Sequence, residues 1–148
     1  MLDLSVREAS ETDLPGILHV YTQAGIDREK SFAIEEARAQ FASLARYPYY
    51  KIFVAETAGI VVGTYALIIL DNLAKRGAKS GLVEDVAVLP GRQGTGIGRA
   101  MMEHAREQCR AARCYKMALS SNMRRETAHR FYDALRFERH GYSFVIEP

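Results

Sequence analysis

The 148 residues include no tryptophan, only 2 cysteines and 4 prolines, and no long apolar run. Cys109 and Cys114 are too few for a disulfide framework and lack the spacing of a zinc site, so both read as free thiols. His19 and His140 have no second ligand at a useful spacing, His104 reads as packing, and no metal is expected. The longest apolar stretch, Tyr65 to Leu70, is far too short to cross a bilayer, and Met1 to Ser10 has no signal-peptide pattern. A cytoplasmic chain with no membrane partner is therefore expected. A large excess of one charge is missing too, since 20 Lys and Arg face 18 Asp and Glu. No basic run is interleaved with stacking aromatics, which argues against a nucleic-acid partner.

What is present is ordinary for a globular chain: 48% apolar and 26% charged residues. Its length suits a single domain, 1–148, that buries roughly 68–70% of its unfolded surface. The small net charge is unevenly divided. Residues 1–91 hold 9 Lys and Arg against 12 Asp and Glu, a net −3, whereas residues 92–148 hold 11 against 6, a net +5. The basic half favours a polyanionic ligand, although solvated surface arginines account for part of the excess.

Element types alternate along the chain without repeats or an evident linker. Thr12 can cap a helix running to about Gln23, and Glu35 to Arg46 reads as a second. Lys51 to Glu56 and Ile60 to Leu70 are β-rich runs joined at Thr57-Ala58-Gly59, hence a hairpin. Asp71 to Gly81 is polar and reads as a loop, followed by a strand at Leu82 to Leu89. Apolar residues recur at helical spacing from Gly96 to Ala112. Tyr115 to Ser120 reads as a strand, and Asn122 can cap a helix on which Ala128, Phe131, Tyr132 and Leu135 share a face. Phe137 to Ile146 reads as two closing strands turning at His140-Gly141. The fold class expected is α/β (α+β), a mixed, mostly antiparallel sheet with helices on both faces.

One stretch carries most of the functional information. VAVLPGRQGTGIG, Val86 to Gly98, joins a strand to a helix through glycines at 94, 96 and 98, so several amides can converge on an anion at a helix N-terminus. A dinucleotide fingerprint fails here, because its third glycine falls on Arg99 or Met101. A P-loop fails as well, because Gly96 is followed by Ile97 and Gly98 rather than Lys and Ser or Thr.

Gln93-x-x-Gly96-x-Gly98, with Arg92 before it and Val86 to Pro90 ahead, resembles the acetyl-CoA loop of the GNAT superfamily of N-acetyltransferases. Further matching stretches follow in the family's order: Val6 to Ala9, Asp13-Leu14-Pro15, Phe53 to Glu56, Gly59 to Gly63, then Asn122, Ala128, Phe131-Tyr132, Leu135 and Phe137. One position departs, since Arg136 stands where the family usually has Gly, and this puts the turn after the last helix in question. The resemblance implies an acetyl-CoA-dependent N-acetyltransferase working in a ternary complex, with a splay between two central strands for the pantetheine arm. It implies pyrophosphate binding by amides of Gln93, Gly94, Thr95, Gly96, Ile97, Gly98 and Arg99, with Arg92 part of the same cofactor site. Val86, Ala87 and Val88 would pair with pantetheine, and Asn122, Ala128, Phe131 and Tyr132 would complete the cofactor site. It also implies Tyr132 as general acid, against the plainer reading of a core tyrosine. Family habit suggests a homodimer.

An amine arrives mainly as ammonium and needs a base. Strand alternation sends Glu84 and Asp85 to opposite faces and puts Glu84 with Val86 and Val88. Glu84 is the expected base, with its pKa raised beside an apolar cleft, and Asp85 is a substrate ligand or the alternative base. A pair of carboxylates that only neutralise nearby lysines is the alternative. The acceptor expected is a small primary amine, and Ala118 to Phe144 is similar to aminoalkylphosphonate N-acetyltransferases. Glu84-Asp85-Val86 is likewise similar to hexosamine-phosphate acetyltransferases. Acetylation of a protein lysine or N-terminus, and a non-catalytic acyl-CoA-binding module, stay open at this level.

Overall fold

The computed structural model describes residues 3–27 and 32–148, in two compact units, Met1–Ala118 and Leu119–Pro148. The first unit is built on a five-stranded sheet in the order β1-β2-β3-β4-β5. The strands are β1 (Leu4–Glu8), β2 (Tyr50–Thr57), β3 (Ile60–Leu70), β4 (Lys79–Val88) and β5 (Cys114–Ala118). All neighbours are antiparallel except β4 and β5, which are parallel. The connection between those two is helix α3 (Ile97–Ala111), as a parallel crossover requires.

Helices cover both faces. On one, Leu14, Ile17 and Val20 of α1 (Leu14–Ala24) are buried against Val54, Val61 and Ala87. Gly16 allows the close approach, because a Cβ there would lie 2.9 Å from Cβ of Val61. On the other face Gly63 lies under Ile97 and Met101 of α3, and Phe53 stacks on Tyr65 with ring centroids 5.1 Å apart. Tyr65 is fully buried, and its hydroxyl lies 2.8 Å from Nδ1 of His104 on α3. His104 is thus a packing residue. A further helix, α2 (Ile34–Leu44), follows α1.

The hairpin turns where its sequence says, because Ala58 (φ 49°) and Gly59 (φ 76°) both take the left-handed conformation that a two-residue turn demands. The start of α1 differs from expectation. Thr12 does not cap it; the N-cap is Asp13, whose side chain makes no capping bond to the helix but accepts from the Ser10 N–H at 2.8 Å and pairs with Arg7 at 2.8 Å. Arg7 also reaches Glu56 at 2.5 Å, tying β1 to β2 and to the approach to α1. These bonds hold the Asp13 carboxyl at about 2, below its ordinary 3.8. A depressed carboxylate contributes stability that is complete above its unfolded pKa and disappears as pH falls toward the folded value. Asp13→Asn is expected to cost about 1–2 kcal/mol at neutral pH, a figure reduced because half-exposed Arg7 is screened by water. Urea unfolding of both proteins should show that difference shrinking between about pH 4 and pH 2.

The segment expected to be a loop up to Gly81 is partly strand. β4 begins at Lys79, with Ser80 opposite Leu70 and Gly81 opposite Ile69. Gly81 is there for close packing, since a Cβ would sit 2.5 Å from Sγ of Cys109. Cys109 is buried, which pushes its thiol up to about 12.

The second unit contains α4 (Glu126–Ala134). Asn122 does not cap this helix, whose N-cap is Arg125. Its side-chain oxygen instead accepts from the Arg124 N–H at 2.9 Å, and its carbonyl meets Nε2 of His129 at 2.8 Å. Arg136 takes the left-handed geometry that glycine adopts most readily, at φ 66°. Its N–H bonds Asp133 and that of Phe137 bonds Tyr132, so the helix closes in the ordinary way. The two closing strands expected at 137–146 are not formed among the described residues. Tyr142, Phe144, Val145 and Ile146 are exposed instead. β-propensity measures fit to a partner strand rather than a preference of the isolated chain.

Candidate active site

β4 ends at Val88, and the chain turns through Pro90–Arg92 into the glycine loop. Gly94 (φ 76°) and Gly96 (φ 89°) are left-handed, and a Cβ on either would meet nothing within 4 Å. Backbone conformation, not space, therefore selects glycine at both. The turn is braced by the Arg92 N–H to the Leu89 carbonyl at 2.8 Å and by the Thr95 hydroxyl to the Arg92 carbonyl at 2.5 Å. Among the described residues, the N–H groups from Gln93 to Arg99 have no hydrogen-bond acceptor, and the next, on Ala100, begins the helical ladder with Gly96. A run of free donors at the N-terminus of a fifteen-residue helix suits a diphosphate.

The β4–β5 ladder closes at Leu82 and Ala118. From Val83 to Val88 the β5 side of β4 has no partner strand among the described residues, which leaves backbone groups for an extended ligand.

Opposite this edge, β4 pairs Glu84 with Ala66 and Ala87 with Thr64, so two residues of β4, Asp85 and Val86, face the single Tyr65. This is a β-bulge, and Asp85 (φ 53°) is its left-handed member. Alternation is reset there. Directly paired residues share a face, and so Glu84 lies with Ala87 on the α1 side. Val88, opposite Gly63, lies with Val86 on the α3 side. The expectation that Glu84 shares a face with Val86 and Val88 is thereby corrected, because the extra residue at 85 changes the phase.

The α1 side around Glu84 is acidic and phenolic. Burial and the neighbouring Asp85 charge raise the Glu84 carboxyl above its usual value. Burial and Asp27 do the same for Asp85. Tyr21 at the end of α1 is pushed up by burial and then by Asp85, and Tyr50 at the start of β2 by burial, Asp85 and Glu84. Tyr47 stands beside Tyr50 at 5.7 Å between ring centroids, and next to it Ser43, Arg46 and Pro48 line a shallow depression. Sequence reasoning missed Tyr21, Asp27 and Tyr50. They come from three separate elements, and nothing in their local spacing distinguishes them from surface residues.

In the second unit, Tyr132 packs edge-on against Phe131 at 5.1 Å and Phe137 at 5.4 Å. Burial raises its phenol and the Arg125 charge opposes the rise, so it stays protonated at neutral pH. Its hydroxyl has no hydrogen-bond partner among the described residues and is free to donate. Ala128 and Phe131 are half-buried on the same helix, and Asn122 is exposed ahead of it.

Comparison with known proteins identifies the family. The model of the acetyltransferase (GNAT) family matches residues 17–137. A glucosamine 6-phosphate N-acetyltransferase of Trypanosoma brucei brucei is 28% identical over 144 residues, 95% of this chain and 92% of that protein. A solved structure from Agrobacterium tumefaciens str. C58, provisionally named an acetyltransferase, is 33% identical with a TM-score of 0.90, covering 97% of this chain and 99% of its own. A Trypanosoma brucei acetyltransferase structure is 28% identical with a TM-score of 0.84, covering 99% of this chain and 100% of its own.

Proposed function

Since the chain belongs to the GNAT acetyltransferase family and is an acyltransferase, we propose that it transfers acetyl from acetyl-CoA to a small primary amine in a ternary complex. The observation that carries this reading is the run of unpartnered N–H groups from Gln93 to Arg99, next to the unpaired edge of β4. Those amides hold the diphosphate, assisted by the charge of Arg92. Val86, Ala87 and Val88 pair with the pantetheine amides as a strand would. Acetyl-CoA, when bound, supplies an acetyl group activated as a thioester. An amide at the bulge near Val86 polarises the acetyl carbonyl and stabilises the oxygen as negative charge develops.

Glu84, directly or through a water, takes a proton from the acceptor ammonium, and Asp85 holds that ammonium in place. Burial and then the Asp85 charge raise the Glu84 carboxyl, and burial and then Asp27 raise that of Asp85, so both take up a proton more readily than an exposed carboxylate would. The freed amine attacks the acetyl carbon, the Tyr132 hydroxyl gives its proton to the sulfur as the carbon–sulfur bond breaks, and the second proton lost by the nitrogen returns to the phenolate. Asn122, Ala128 and Phe131 complete the surface on which the coenzyme lies.

The acceptor class is tested by a panel of amines followed through release of the CoA thiol. It should include hexosamine phosphates, aminoalkylphosphonates, aminoglycosides, peptides with a free lysine or N-terminus, and simple amines. Turnover is expected with small primary amines. Activity confined to peptides would replace this reading with a protein acetyltransferase, and binding without turnover across the whole panel would leave a CoA-binding module. Among the described residues no helix is long and apolar enough to cross a membrane, and a cytoplasmic homodimer belongs to the same proposal.

A further inference from the structure

Acetyl transfer as proposed leaves two nucleophilic side chains unused, Cys109 in the last turn of α3 and Cys114 at the first position of β5. The chain reverses between them, with the Arg113 N–H bonded to the Arg110 carbonyl at 3.0 Å and Arg113 left-handed at φ 60°. Both thiols come to the same place. Cys109 meets the sheet at Gly81, where the missing side chain leaves the room that its Sγ occupies. Lys79, two residues before Gly81, lies on that same face, and Cys114 shares it because the two are directly paired across β4 and β5. The sulfurs therefore meet between α3 and the sheet, and the Cys109 thiol donates a hydrogen bond to the sulfur of Cys114. Tyr49 stands close enough to feel both.

We infer that Cys109 and Cys114 form a redox modification site, at which a hydroperoxide closes a disulfide between the end of α3 and the start of β5. Cys114 makes the attack. Burial raises its thiol, but the bond from Cys109 and the charge of Lys79 oppose the rise, and it is only half-buried whereas Cys109 is buried. The Cys114 thiolate takes the terminal oxygen of the hydroperoxide, the O–O bond breaks, and the alkoxide leaves with the proton that Cys114 gave up. Cys114 is then a sulfenic acid. The sulfur of Cys109 displaces its hydroxyl, which departs with the Cys109 proton as water. In sum two thiols lose two electrons and two protons, and one hydroperoxide becomes an alcohol and water. Acetyl transfer plays no part in these steps, so the inference is independent of the functional reading.

The test is to treat the reduced full chain with hydrogen peroxide, alkylate it in denaturant and digest it. Trypsin cuts after Arg110 and Arg113, so the two cysteines leave on separate peptides unless a disulfide joins them. A joined pair is expected from protein of monomer mass, and it should vanish on treatment with dithiothreitol. Cys114→Ser should slow the loss of the remaining thiol by about tenfold or more, whereas Cys109→Ser should leave a sulfenic acid at Cys114 that dimedone captures. Separate alkylated peptides from wild type, at a peroxide dose that oxidises glutathione, would show two inert packing thiols and overturn the inference. Joined peptides found only in covalent dimers would overturn it as well. Thermal unfolding of both serine variants checks that they remain folded, and the wild-type result decides the matter without them.

Discussion

Tyr132→Phe is expected to lower kcat by about 100-fold or more while leaving the KM for acetyl-CoA little changed. The substitution removes one oxygen and keeps the ring, so the contacts with Phe131 and Phe137 survive. Only proton donation is lost. Near-normal turnover would return Tyr132 to the apolar stripe as a packing residue. Loss of activity together with a large fall in melting temperature would also count against the assignment. Steady-state kinetics and thermal unfolding on the same preparation tell these outcomes apart.

The second large effect concerns the base. Glu84→Gln should reduce kcat/KM by about 100-fold at neutral pH and remove the acidic limb of its pH profile. The sign follows from the charge state. The active form is the carboxylate, so activity falls as pH drops through the Glu84 pKa, and burial with the Asp85 charge places that fall above the ordinary carboxylate range. Asp85→Asn removes the repulsion and should move the limb to lower pH, in addition to any loss of acceptor binding. An acidic limb that persists unchanged in Glu84→Gln would transfer the role to another group.

Much of the fold was legible because its signals are local. The hairpin follows from a turn at Ala58-Gly59 between β-rich runs, and α3 from apolar residues at helical spacing. The left-handed turns of the glycine loop were legible for the same reason, since glycines at 94 and 96 report a backbone conformation that other residues adopt at a cost. What was not legible depends on partners distant in sequence. The phase of Glu84 is set by how β4 aligns with Tyr65, and a strict two-residue period has no room for the bulge at Asp85. Gly81 looked like loop composition until Cys109 was found against it. Asp13 rather than Thr12 stands at the N-cap, and its carboxylate is held by Arg7, six residues away on β1, a partner that local spacing does not reveal. Tyr21, Asp27 and Tyr50 come near Glu84 and Asp85 only after α1 has docked on the sheet.

The single inserted residue at Asp85 has an evolutionary consequence. It lets one strand serve two customers, with Val86 and Val88 directed to one side and Glu84 to the other. If the amine is held on the Glu84 side and the acyl donor on the other, as proposed, changes among Tyr21, Asp27, Tyr50 and Asp85 would redirect the enzyme toward a new amine without disturbing the grip on its acyl donor. A library diversified at those positions alone should yield altered acceptor preference at constant coenzyme affinity.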